Sequence, residues 1–157
     1  MDLRRKKDLV KKAITAVIFT FVMLTAQGST SFSEAAGSGD LTVIFEDIRT
    51  EKGQIVLALC SDADQYYSDK DIFRTEKIQP VIGRTRVILK DIPYGKYAIK
   101  SYHDVNLNNK LDKGLFGIPR EPFGFSNNPE IRRKMPSYEE SAFTFEPGSG
   151  DVTIRMR

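Results

Sequence analysis

From residue 41 onward, apolar positions recur at alternate residues in short runs broken by turn formers, and no run keeps the three-and-four spacing of an amphipathic helix. Leu41, Val43 and Phe45 alternate with Thr42 and Glu46, with Ile44 blurring the alternation. Ile55, Leu57 and Leu59 line one side of a second run whose other side, Val56 and Ala58, is also apolar. Strands apolar on both faces sit centrally in a sheet. Residues 49–53 form the polar turn between the two runs, closed by Gly53. Residues 61–77 are irregular and rich in Asp and Lys, with Tyr66, Tyr67, Ile72 and Phe73 placed to dock as a short helix or an ordered loop. Residues 85–92 resume as a strand. Residues 91–95 predict a tight turn, Pro93 presetting the backbone and Gly95 supplying the positive φ, into a strand over 96–103. Residues 142–146 and 151–156 predict a last hairpin around 147–150. About seven strands at this spacing predict an all-β domain built as a two-sheet sandwich.

Side-chain parity fixes what the strand over 96–103 presents. Tyr97, Ile99, Ser101 and His103 share its apolar side, and Lys100, Tyr102 and Asp104 the other. His103 is thereby expected to be a hydrogen-bonded packing residue. As the only histidine in the chain it also rules out zinc sites built from paired histidines.

The N-terminal segment has a different pattern. Arg4, Arg5, Lys6, Lys7, Lys11 and Lys12 precede an uncharged apolar stretch from Ala13 to about Ala26, and small and polar residues follow to Ala36. This is the pattern of a secretory signal helix, with candidate cleavage after Ala26, Gly28 or Ala35. The stretch falls short of the roughly 20 residues that span a bilayer, so membrane contact is expected only through an uncleaved signal segment. No cysteine stands at a lipobox position. Residues 1–35 thus form the signal and a short linker and residues 36–157 the sandwich domain, exported to the periplasm or the extracellular space. Six of the 24 Lys+Arg and three of the 21 Asp+Glu lie in residues 1–35, which leaves 18 of each in the domain. A formally neutral domain lacks the electrostatic footprint of a nucleic-acid binder. Cys60 is the only cysteine, so no intramolecular disulfide can form, and it reads as a small buried residue at a strand end.

One run carries defined chemistry. Asp104, Asn106, Asn108 and Asp112 form a DxNxNxxxD pattern. In an acidic calcium loop, positions 1, 3 and 5 give side-chain oxygens, position 7 a backbone carbonyl and position 9 a carboxylate or its water. Counted from Asp104 these are Asp104, Asn106, Asn108, Lys110 and Asp112, with Asn109 at the position where chain reversal favours left-handed geometry. Leu107 and Leu111 are expected to tuck beneath as an apolar anchor. Leu115 occupies position 12, where an EF-hand requires glutamate, so the loop is not an EF-hand, and Glu121 is the nearest carboxylate able to complete the cage. Calcium is the preferred cofactor. The competing reading is a metal-free turn, since Asn and Asp bond their own backbone in tight loops. Under the calcium reading, alanine at residues 104 and 112 lowers stability in calcium and is silent in chelator.

Prolines and glycines make residues 117–129 irregular. Phe116, Phe123, Phe125 and Tyr138 either cap the open end of the sandwich or line a recess beside the loop. Gly124, Phe125 and Ser126 begin a nucleophile elbow, but Asn128 stands where GxSxG needs glycine. Arg132, Arg133 and Lys134 form a short basic cluster that reads as solvated loop.

The DIPYGKYA turn, the HDVNLNNKLD run from His103, the GIPREPFGFSNN run from Gly117 and residues 136–143 together resemble the bacterial exported family of domain of unknown function 2141. The resemblance implies an immunoglobulin-like or prealbumin-like β-sandwich in or outside the cell envelope. It implies no established activity, and its motifs carry over Asp104, Asn106, Asn108, Asp112 and Glu121. Taken together, the sequence predicts an exported, non-enzymatic module whose partner is a cell-envelope component. The alternatives are an envelope hydrolase pairing His103 with a loop carboxylate, and a metal-free structural domain.

Overall fold

The alternating runs become strands that divide between two sheets. The structure is a computed structural model that describes residues 37–131 and 134–157. The expected signal helix, and Arg132 and Arg133 of the basic cluster, lie outside the described residues, as does the side chain of Phe116. Eight strands follow one another: β1 (Ser38–Ile48), β2 (Gln54–Cys60), β3 (Arg74–Ile78), β4 (Gly83–Pro93), β5 (Gly95–Asp104), β6 (Phe123–Phe125), β7 (Ala142–Phe145) and β8 (Val152–Arg155). A three-stranded sheet has the order β4-β1-β8. A five-stranded sheet has the order β3-β2-β5-β6, with β7 pairing the N-terminal half of β5. The doubly apolar β2 is flanked by strands on both sides, and so is β1.

Between the sheets lies one apolar layer. Leu41, Val43, Phe45, Leu89, Ile92 and Ile154 from the smaller sheet meet Ile55, Leu57, Leu59, Tyr97, Ile99 and Phe145 from the larger. Each large aliphatic side chain so buried contributes roughly 1.5–3 kcal/mol relative to exposure. A second cluster forms on the outer face of the larger sheet, where Cys60, Ala98 and Phe125 are covered by Tyr66 and Tyr138. These come from two short helices, α1 (Ala63–Ser68) and α2 (Tyr138–Ser141). Asp62 caps α1 through the Gln65 amide, and Ser137 and Glu140 form a capping box on α2. Phe125 and Tyr138 therefore cover a sheet face, not the open end of the sandwich. Burial pushes the Cys60 thiol up to about 11, so it is neither a thiolate nor a nucleophile at neutral pH.

Three expectations are corrected. The segments around 147–150 are not a hairpin: β7 pairs antiparallel with β5, whereas β8 crosses to the other sheet and pairs parallel with β1, Phe45 opposite Ile154. Alternation reveals a strand's two faces but not its neighbour, and β8 finds its ladder on a strand about a hundred residues earlier. Residues 61–77 contain both α1 and the edge strand β3, whose Arg74-Thr75-Glu76-Lys77 sequence hides a strand because only one face meets the domain. The positive φ near the β4–β5 turn belongs to Asp91, at 55°, and not to Gly95. Asp91 sits where the β1–β4 register shifts, and Asp47, at 63°, sits at the second shift, so both are bulge residues that twist the ladder.

Candidate functional site

Strand β5 ends at Asp104, and the chain returns to the same sheet as β6, with Tyr102 opposite Phe123. The returning segment, 105–122, forms no strand of the sheet and holds only a 3-10 turn at Leu115–Gly117 and an isolated bridge between Lys113 and Pro119. Its base is closed by the His103 amide donating to the Pro122 carbonyl at 2.8 Å. His103 itself is 1% exposed, and its Nε2–H donates to the Lys52 carbonyl at 2.7 Å. The expected packing histidine is what parity delivers: its ring pins the 49–53 turn and opens on no cleft.

Asp104 is wholly buried, an unusual position for a carboxylate. Its Oδ1 accepts the Asn108 amide at 3.0 Å, and its Oδ2 accepts the Asn109 amide and Gln54 Nε2, both at 2.9 Å. Burial is the largest single influence and would raise this carboxyl. The donors from Gln54 and from the amides of Asn109, Asn108 and Leu107 oppose it and together hold the group below its usual 3.8. Tyr102 senses the same charge, its phenol raised first by burial and then by Asp104 and Glu121.

Around Asp104 the other predicted ligands turn inward. Asn106 Oδ1 accepts the Asn108 amide at 3.1 Å, the same N–H that serves Asp104, so these two side-chain oxygens lie close together. Asp112 faces them from across the loop, its Oδ2 accepting Asn106 Nδ2 at 2.7 Å and its Oδ1 accepting Asn108 Nδ2 at 2.9 Å. An amide turned by 180° exchanges its nitrogen for its oxygen, so the same four side chains can present oxygens to a shared centre. Asn109 adopts the left-handed geometry its position predicts, with φ 60°. Lys110 donates its amide to Asn108 Oδ1 and holds its ammonium on the surface.

Glu121 joins the loop through the loop's own backbone. It is 8% exposed, and its two oxygens accept the Val105 amide at 2.8 Å and the Asp112 amide at 3.0 Å. It thus ties the two ends of the loop together. The structure therefore brings Asp104, Asn106, Asn108 and Asp112 together and uses Glu121 as a clamp. Two carboxylates and two amides make a weakly charged donor set, and no group of three or more His, Cys, Asp or Glu is arranged to hold a metal among the described residues. Leu107 is 57% exposed and does not anchor the loop; Leu111 packs toward an adjoining groove. Gln54 escaped the sequence reading altogether. Its signal is only its place opposite Asp104 across the β2–β5 ladder, which no local pattern contains.

Beside the loop, a groove of about 520 Å³ runs over the outer face of the larger sheet. Its floor is low because the central strand presents Val56 and Ala58 there, while Tyr102 and Phe123 stand higher on one side. Residues 109–111 form one wall and Tyr66, Tyr67 and Ile72 the other.

The model of a bacterial family described as "Uncharacterized protein conserved in bacteria (DUF2141)" matches residues 43–153. The chain belongs to that family. The match begins within β1 and ends within β8, so it takes in the loop, the Glu121 clamp and both sheets of this DUF2141 domain. No curated protein and no solved structure matches the chain.

Proposed function

We propose that this DUF2141 chain is an exported, non-enzymatic recognition module of the cell envelope whose 104–112 loop is organised by calcium. The observation that carries the metal part is the hydrogen bonding that draws Asp104, Asn106, Asn108 and Asp112 together, Asp104 and Asn106 sharing the Asn108 amide and Asp112 bonding both asparagine side chains. A hard cation of calcium's size takes oxygens of these kinds, and a site with only two carboxylates suits the roughly 10⁻⁴ to 10⁻³ M affinities of extracellular modules. Asp104, Asn106, Asn108 and Asp112 would hold the ion, with the Lys110 carbonyl at the backbone position. Export rests on the N-terminal pattern of basic and then apolar residues. The hydrolase reading loses its base, because the His103 ring is enclosed and bonded to a backbone carbonyl.

A second reading has its own support. No buried side-chain polar atom lacks a partner among the described residues, and Asp104 in particular meets its donors from protein groups. Thermal melting separates the two. Protein stripped by chelator is expected to gain about 3–5 °C in Tm when calcium is added several-fold above its Kd, equivalent to about 1 kcal/mol. An unmoved Tm in millimolar calcium, with magnesium as control, leaves the metal-free turn as the account of the loop.

A further inference from the structure

We infer that the groove over the outer face of the larger sheet binds an acidic saccharide, through aromatic rings on its floor and wall and lysines on its loop side. The inference rests on the reading of this domain as a binding module and names the class of ligand. It does not rest on the calcium ion, because it uses only side chains of a loop wall that protein hydrogen bonds hold.

Charge complementarity identifies the occupant. Among the described residues lining the groove, the ionised groups are Lys100, Lys110, Lys113 and Asp69. Asp69 is engaged by Lys100, which also donates to the Tyr66 carbonyl. Among the described residues Lys110 and Lys113 are exposed and form no ion pair, so the loop side of the groove carries two ammonium groups without a carboxylate partner. A ligand matching that side bears carboxylates.

The rest of the lining calls for rings with apolar faces. Tyr67 is 58% exposed although its hydroxyl is fixed by the Tyr138 amide, so its ring is a pre-positioned, solvent-facing platform. Tyr102 and Phe123 supply further aromatic surface side by side on paired strands. The amide oxygen of Asn109 accepts from Gln54 and Lys77, which leaves its N–H groups for a ligand hydroxyl. A sugar ring combines an apolar C–H face, edge hydroxyls and, in a uronic acid, a carboxylate. An acidic peptide suits the groove less well. The floor is the face of a sheet whose backbone groups are already laddered, so it offers no edge for strand addition.

Calorimetric titration of the intact domain with trigalacturonate tests this, with its methyl ester as the uncharged ring control and triglutamate as the charged non-sugar control. Titrations are run in chelator and again in calcium. Trigalacturonate is expected to bind with a millimolar or tighter Kd in both buffers, and the ester and triglutamate each about tenfold more weakly or not at all. Lys110→Glu with Lys113→Glu is expected to weaken trigalacturonate about tenfold, and Tyr67→Ala to weaken it without restoring triglutamate binding. Absence of trigalacturonate binding, equal binding of the ester or of triglutamate, or indifference to the lysine changes in a variant of unaltered Tm overturns the inference. A calcium response in Tm without trigalacturonate binding removes the groove reading alone. Trigalacturonate binding in chelator without a calcium response removes the ion alone.

Discussion

Gly53→Ala is expected to lower the stability of the domain by more than about 3 kcal/mol, the largest single-residue effect anticipated outside the core. Gly53 has φ +78°, and a Cβ there would stand 2.0 Å from the Asp104 carbonyl oxygen and 2.6 Å from Val105 Cα. Both obstacles are backbone, so neither can swing aside. They are also the root of the 104–112 loop, against which the 49–53 turn is pinned by His103. Gly83→Ala isolates the conformational part, since its φ is +83° with nothing within 4 Å of the added carbon. It is expected to cost only about 1 kcal/mol. Urea unfolding of the two variants against the parent chain measures the difference. Equal and small losses would mean that the turn does not approach β5 as closely as described.

The second large effect belongs to Asp104, and its dependence on conditions differs from what the sequence suggests. Asp104→Ala takes from the Asn109 amide its acceptor, takes from the Asn108 amide and Gln54 Nε2 one of two acceptors each, and empties a wholly buried position. A loss of about 3 kcal/mol is expected in chelator as well as in calcium. Asp112 is half-buried and its partners are side-chain amides able to turn to water, so Asp112→Ala is expected to cost only about 0.5–1 kcal/mol in chelator. What the two variants share is loss of the calcium increment. Asp104 also shapes the acid limb. Its carboxyl titrates below 3.8 when folded, so its stabilisation is fully present above that ordinary value and is withdrawn as pH falls through the lower folded one. Denaturant melts in both buffers, repeated between neutral and acid pH, read all of this. An Asp104→Ala protein as stable as the parent in chelator would contradict the hydrogen-bond account.

Much of this architecture is written locally. A two-sided apolar run marked β2 as an inner strand, parity sent His103 inward, and the left-handed tolerance of asparagine placed Asn109 at the loop's reversal. Each of these follows from residues within a few positions of one another. What escaped depends on partners distant in sequence. The parallel ladder between β1 and β8, the Gln54 bond to Asp104 and the Glu121 clamp join residues that no spacing rule connects. Glu121 shows the difference most clearly. No local pattern announces that its carboxylate accepts the backbone amides of Val105 and Asp112, and a buried N–H without an acceptor is costly. The strand β3 was hidden for another reason: edge strands carry charge that blunts pairing with other chains, and that charge erases the alternation.

The claim on which the account turns is that a cation sits among four particular side chains. Adding calcium to chelator-treated, isotope-labelled protein and following its amide resonances tests it residue by residue. The account predicts saturable shifts for the backbone amides of Asn106, Asn108, Lys110 and Asp112 and for the side-chain amides of Asn106 and Asn108, with resonances of the smaller sheet unmoved. Unchanged loop resonances at millimolar calcium, or shifts scattered over surface carboxylates such as Glu46 and Asp151, would contradict it.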